Sequence, residues 1–166
     1  HGLSPDNKLL VLSNFDKTGR RLSEMISSLY IVPVTGGQPK KISNDSICFW
    51  HGWSPDGATL AYVGMKGENL DVYTIPVTGG PAKRITTTTG LDDGPEYSPD
   101  GKYIYFNSYR SGHMQIWRMQ PDGSQPEQLT FDSYSNWFPH ISPDNQWMVY
   151  ISYVTDQKQD HLFGKK

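Results

Sequence analysis

Histidine, carboxylate and tryptophan side chains gather at one recurring place in the 166-residue sequence, just upstream of a repeated Ser-Pro-Asp-(Gly/Asn) tetrapeptide. Counting back from the serine of each copy, Glu96 and His140 stand two residues upstream, His51 three, Trp50 four, Asp93 and Trp137 five, and Asp92 six. Repeats set around an axis bring equivalent positions together, so His51, Asp92, Asp93, Glu96 and His140 converge on one mouth of a central channel. Imidazoles and carboxylates in one funnel can hold a divalent metal or act as acid and base. The candidate ligands are His51, Glu96 and His140. No local ligand motif such as HExxH joins them, and no metal or cofactor is assigned. Trp50 and Trp137, with Phe49 and Phe138 beside them, can stack on a sugar ring or anchor a partner peptide. A plainer reading stands next to each of these. The histidines bond neighbouring backbone, Glu96 meets a serine or an arginine, and the aromatic rings fill the wedge between repeats, as Trp53 does.

Nucleophilic chemistry finds no residue to carry it. No GxSxG elbow occurs, and the repeated serines are explained by the turn they open. Gly36-Gly37 and Gly79-Gly80 punctuate hairpins and do not precede helices, which excludes a phosphate-binding loop. No catalytic residue is named. The loop Tyr109 to His113 reads as solvated.

The element that must position the candidates is the turn itself. Its serines, Ser4, Ser54, Ser98 and Ser142, are spaced by 50, 44 and 44 residues. The copies Ser54-Pro55-Asp56-Gly57 and Ser98-Pro99-Asp100-Gly101 are the most regular. Proline presets φ for a tight turn, and serine bonds back to the backbone. The fourth position is Asn7, Gly57, Gly101 or Asn145, the residue types that enter φ > 0 most cheaply. An apolar residue precedes each turn and a strand-like run follows it. A period of roughly 40–45 residues made of short strands is the mark of propeller blades, each a small sheet.

Residues 1–166 are read as one partial all-β domain, a β-propeller of four-stranded antiparallel blades. The blades run approximately over 1–43, 44–86 and 87–130, with an incomplete one over 131–166, about three and a half in all. The Gly-Gly pairs and Asp122-Gly123 are expected to form two-residue hairpin turns between third and fourth strands, the latter running Lys40–Ser43, Lys83–Thr86 and Glu127–Thr130. Because a propeller hides its edges only by closing, the chain is expected to be a piece of a longer protein, the alternative being association of two chains through open blade edges.

Composition narrows the partners. The net charge is −2, and lysines and arginines are scattered, which gives no electrostatic case for nucleic acid or an anionic membrane. No apolar run approaches the ~20 residues a bilayer span requires. Cys48 is the single cysteine, so there is no internal disulfide and no multi-cysteine zinc site.

At the four Ser-Pro-Asp turns and the Pro-Val-Thr-Gly-Gly stretches, the sequence resembles the TolB-like (WD-like) β-propeller repeat family over nearly its whole length. It is most similar to soluble, uncharacterised bacterial members, through His51 to Gly57, Asp93 to Gly101 and Trp137 to His140. The resemblance implies a ring of six blades, of which about half is present here. It implies a role in binding proteins and leaves periplasm and cytoplasm both open. It does not extend to a partner-binding extra domain. Oligogalacturonate lyases have related repeats and use channel-facing histidines with a metal, and other related propellers cap peptidases. The expected function is therefore a non-catalytic platform for a protein or peptide. A metal-assisted or sugar-binding carbohydrate propeller is the alternative, and a peptidase cap the second alternative.

Overall fold

The computed structural model describes residues 1–17, 25–43 and 47–154. Among them there is no helix, and so none long and apolar enough to cross a membrane. Three four-stranded sheets and one two-stranded sheet follow one another along the chain. The first contains β1 (Gly2–Leu3), β2 (Leu9–Lys17), β3 (Ile26–Pro33) and β4 (Lys40–Lys41). The second contains β5 (Cys48–Trp53), β6 (Thr59–Lys66), β7 (Asn69–Pro76) and β8 (Lys83–Arg84). The third contains β9 (Asp92–Tyr97), β10 (Ile104–Ser108), β11 (Gln115–Met119) and β12 (Glu127–Gln128). β13 (Ser135–Ile141) and β14 (Met148–Tyr153) make the last. Every pairing joins sequence neighbours antiparallel, so each sheet is a meander.

The repeated turn joins the first two strands of every sheet. In the second sheet, Ser54 Oγ donates to Asp56 Oδ1 at 2.5 Å and accepts the Thr59 N–H at 2.9 Å. Asp56 Oδ1 also takes the Ala58 N–H at 3.0 Å. The same bonds recur at Ser4, Ser98 and Ser142. The fourth position has φ of 58° at Asn7, 69° at Gly57, 72° at Gly101 and 59° at Asn145, the left-handed region its residue types favour. The aspartate has a larger part than the sequence suggested. The Ser98 hydroxyl, and then the Lys102 N–H, pull the Asp100 carboxyl down to about 2.

The outer hairpins differ from expectation. The closing bond runs from Gly36 N–H to Pro33 O, from Gly79 N–H to Pro76 O and from Gly123 N–H to Gln120 O. Val34-Thr35, Val77-Thr78 and Pro121-Asp122 therefore occupy the turn centres, and glycine takes the last place with φ of 94°, 85° and 92°. β-branched residues and proline suit the negative φ of an ordinary turn, which leaves the left-handed step to glycine. The outer strands are also shorter than read, two residues each. Beyond the strand a hydroxyl takes over the ladder. Ser43 Oγ, Thr86 Oγ1 and Thr130 Oγ1 accept the N–H of Leu29, Val72 and Ile116 at 2.8, 2.9 and 2.9 Å.

Sheets stack face to face, and the core lies between them. Val11, Leu29 and Ile31 of the first sheet meet Leu60, Tyr62 and Ile75 of the second. Ala61 and Val72 on the other face of the second meet Tyr97, Ile104 and Phe106 of the third. Strand alternation makes each sheet apolar on both faces, as a stack of wedges requires. Val149 and Ile151 hold the repeat positions of Ala61 and Val63, yet are 66% and 47% exposed where the latter two are sealed at 0%.

Candidate functional site

The inner strands β5, β9 and β13 all break register at the same point. His51 is an extra residue between Trp50 and Gly52. Gly94-Pro95 bulges in β9 and Phe138-Pro139 in β13. A bulge re-aims side chains, and proline within a strand is tolerated where pairing is interrupted. Gly94 has φ of 60°, and its repeat equivalent Phe138 reaches 53° although it is not glycine. The Phe138 N–H is anchored on Asn107 Oδ1 of the third sheet at 3.1 Å. Trp50 N–H is held the same way, by Ser13 Oγ of the first sheet at 2.8 Å.

The three bulges surround a cavity of about 250 Å³. Trp50 and His51 line it from β5, Gly94 to Glu96 from β9, and Phe138 to His140 from β13, together with His1. Two imidazole–carboxylate pairs bridge the sheets there. His51 Nε2 lies 3.2 Å from Asp93 Oδ1, and His140 Nδ1 lies 2.5 Å from Glu96 Oε2. Both carboxylates sit on β9 and each also accepts a backbone N–H, Asp93 from Gly94 at 2.7 Å and Glu96 from Ile141 at 3.3 Å. The His51 and Phe138 rings stack at 6.0 Å, 14° from parallel.

Of the seven candidates, Trp50, His51, Glu96 and His140 line this cavity, and Asp93 stands directly behind His51. Asp92 and Trp137 do not line it. Asp92 is 1% exposed, bound by Arg110 at 3.1 Å and Thr88 at 3.2 Å. Strand alternation turns it to the opposite face from Asp93. Trp137 is buried at 8%, and its neighbour Phe138 takes the place at the wall. Trp50 belongs partly to the core. Its ring lies across Gly2, so close that a Cβ there would overlap it, and its buried Nε1 has no hydrogen-bond partner. Arg110, expected in a solvated loop, folds back over the neighbouring Phe106 and Trp117 rings at 5.1 and 4.8 Å. The wall residues Gly94 and Pro95 were outside the candidate set. The signal that finds them is the X-Pro pair at the same offset before the repeated turn, Gly94-Pro95 and again Phe138-Pro139, which marks a bulge in a strand.

Chemically the arrangement orients two imidazoles and two carboxylates around a small aromatic-walled hollow. Among the described residues no three His, Cys, Asp or Glu side chains come together as a metal site.

The sequence profile of the TolB β-propeller domain matches residues 2–163. The chain belongs to the TolB β-propeller family. An uncharacterized protein of Agrobacterium fabrum is 43% identical over 97 residues, covering 58% of this chain and 31% of that protein. A TolB-type structure from Agrobacterium tumefaciens superposes with a TM-score of 0.86 at 42% identity, over 95% of this chain and 55% of that one. TolB from Acinetobacter baumannii superposes with a TM-score of 0.77 at 23% identity, over 92% of this chain and 37% of that one, and shows the shared fold. The chain therefore spans about a third of the curated relative and about half of the Agrobacterium structure.

Proposed function

We propose that this TolB-family propeller is a binding platform for a protein or peptide, and that the bulged end of the inner strands is its contact face. The observation that carries the reading is how the ionisable groups there are engaged. Each carboxylate holds an imidazole and a backbone N–H, which builds a rigid rim, and among the described residues neither imidazole holds a hydroxyl or thiol that it could deprotonate. A preformed rim of aromatic rings and satisfied polar groups suits recognition, since little side-chain freedom is lost on contact. The carbohydrate reading draws on the same aromatic walls and acid–base pairs, and differs in requiring turnover.

A peptide-array screen with calorimetry on the hits tests this. Peptide binding is expected, with amide-exchange protection at β5, β9 and β13. The double substitution His51→Ala, His140→Ala is expected to weaken affinity several-fold without abolishing binding, because the imidazoles brace the rim and the aromatic wall remains. Metal-dependent cleavage of an oligosaccharide, abolished by the same double substitution, overturns the reading in favour of an enzyme.

A further inference from the structure

We infer that the cavity between the three bulges takes a single cationic group, a guanidinium or ammonium on an apolar stem, presented by the partner. The inference rests on the platform reading for the identity of the carrier, and on the cavity alone for the chemistry.

The protein contains its own template for such a site. Beside the third sheet the Arg110 side chain is held by four groups: the Ser108 hydroxyl oxygen at 2.7 Å, the Asp92 carboxylate at 3.1 Å and the rings of Phe106 and Trp117 at 5.1 and 4.8 Å. The carboxylate and the two aromatic rings carry most of the attraction, because charge and ring quadrupoles act on the same ion. The cavity wall offers the same residue types, Glu96, Trp50 and Phe138, with Asp93 close behind, and among the described residues no lysine or arginine lines it, His1, His51 and His140 being its basic side chains. The contrast extends to the other acids. Among the described residues, the buried aspartates Asp71 and Asp92 each have an arginine, Arg84 and Arg110. Asp93, buried to 6%, has only the His51 imidazole and one N–H. Glu96 likewise has an imidazole and one N–H. Among the described residues neither carboxylate has a lysine or arginine beside it.

Phe138 supplies an independent indication. Its left-handed φ of 53° is the conformation that the equivalent position in β9 gives to glycine, at 60°. A bulky residue in this region carries strain, and strain that persists points to a use for the side chain. What the strain accomplishes here is an aromatic ring in the cavity wall, stacked on His51. The size fits as well. At about 250 Å³ the hollow lies below the ~300–1,000 Å³ of drug-sized sites and has room for one side chain or chain terminus.

The test uses N-acetyl-arginine amide as probe and N-acetyl-citrulline amide as its uncharged isostere, titrated into the whole chain and followed by NMR shifts and Trp fluorescence. The arginine probe is expected to bind saturably with Kd on the order of 1 mM, and the citrulline probe at least about tenfold more weakly. Glu96→Gln is expected to weaken the arginine probe about tenfold with the unfolding midpoint unchanged. Phe138→Gly, which suits the local φ, is expected to weaken it with the fold retained. Equal affinity for the two probes, absence of saturable binding, or indifference to Glu96→Gln overturns the inference. Peptide binding that neither the probe nor Glu96→Gln disturbs overturns the cation site and leaves the platform standing. Probe binding without any peptide ligand does the reverse.

Discussion

The Ser98 hydroxyl makes two bonds at once, donating to Asp100 Oδ1 at 2.7 Å and accepting the Tyr103 N–H at 3.0 Å. All four repeated serines are spent in this manner, which is why their recurrence reports a turn and not a nucleophile. The consequence is measurable in the acid range. The Asp100 carboxyl titrates near 2 because the Ser98 hydroxyl bonds its charged form, against ~3.9 in an unfolded chain. A depressed carboxylate stabilises the fold above the unfolded value and loses that contribution as pH falls toward the folded one. Ser98→Ala is therefore expected to raise the Asp100 pKa toward its ordinary value, read by side-chain carboxyl NMR. It should also cost about 1–3 kcal/mol, because the Tyr103 N–H loses its side-chain acceptor. Wild-type Asp100 titrating near 4 contradicts this account.

Strands and bulges obey the same logic one level up. The outer strands are held less by their own length than by the hydroxyls of Ser43, Thr86 and Thr130, each accepting an N–H from the strand inside it. Thr86→Val is expected to destabilise by about 1–3 kcal/mol and speed exchange at the Val72 amide, whereas Thr86→Ser keeps the bond. At the bulge, a Cβ on Gly94 would lie 2.7 Å from Asn107 Oδ1 and 2.9 Å from the Phe138 ring, with φ of +60° besides. Gly94→Ala is expected to lower stability by about 1–3 kcal/mol and to shift the resonances of Phe138 and His51. An unchanged midpoint would show that the bulge is not the fixed support described above.

Across the whole molecule, one repeat position has two fates. Val63 is sealed between sheets at 0% exposure, whereas Ile151 at the same place in the last sheet is 47% exposed and Val149 two residues before it is 66% exposed. Val63→Thr is expected to cost about 1–3 kcal/mol, and Val149→Thr less than about 0.5 kcal/mol. Thermal unfolding of the two variants side by side checks this. Apolar residues on an exposed sheet also favour association, so Val149→Thr with Ile151→Thr is expected to lower any self-association seen by light scattering.

The sequence by itself determined the sheet architecture, because a turn that needs Ser, Pro, Asp and a left-handed residue in order leaves an unmistakable local trace every 44 residues from Ser54 onward. It also brought His51, Glu96 and His140 to one end, since equivalent positions in stacked repeats must lie near one another. Only the tertiary structure decided what each side chain meets. Asp92 and Asp93 are adjacent in sequence, but one turns to Arg110 and the other to His51. Trp137 goes inward while Phe138 forms the wall, because a single extra residue in a strand reverses which face its neighbours share. Those choices depend on contacts between residues some 18 to 44 positions apart, which no local pattern encodes.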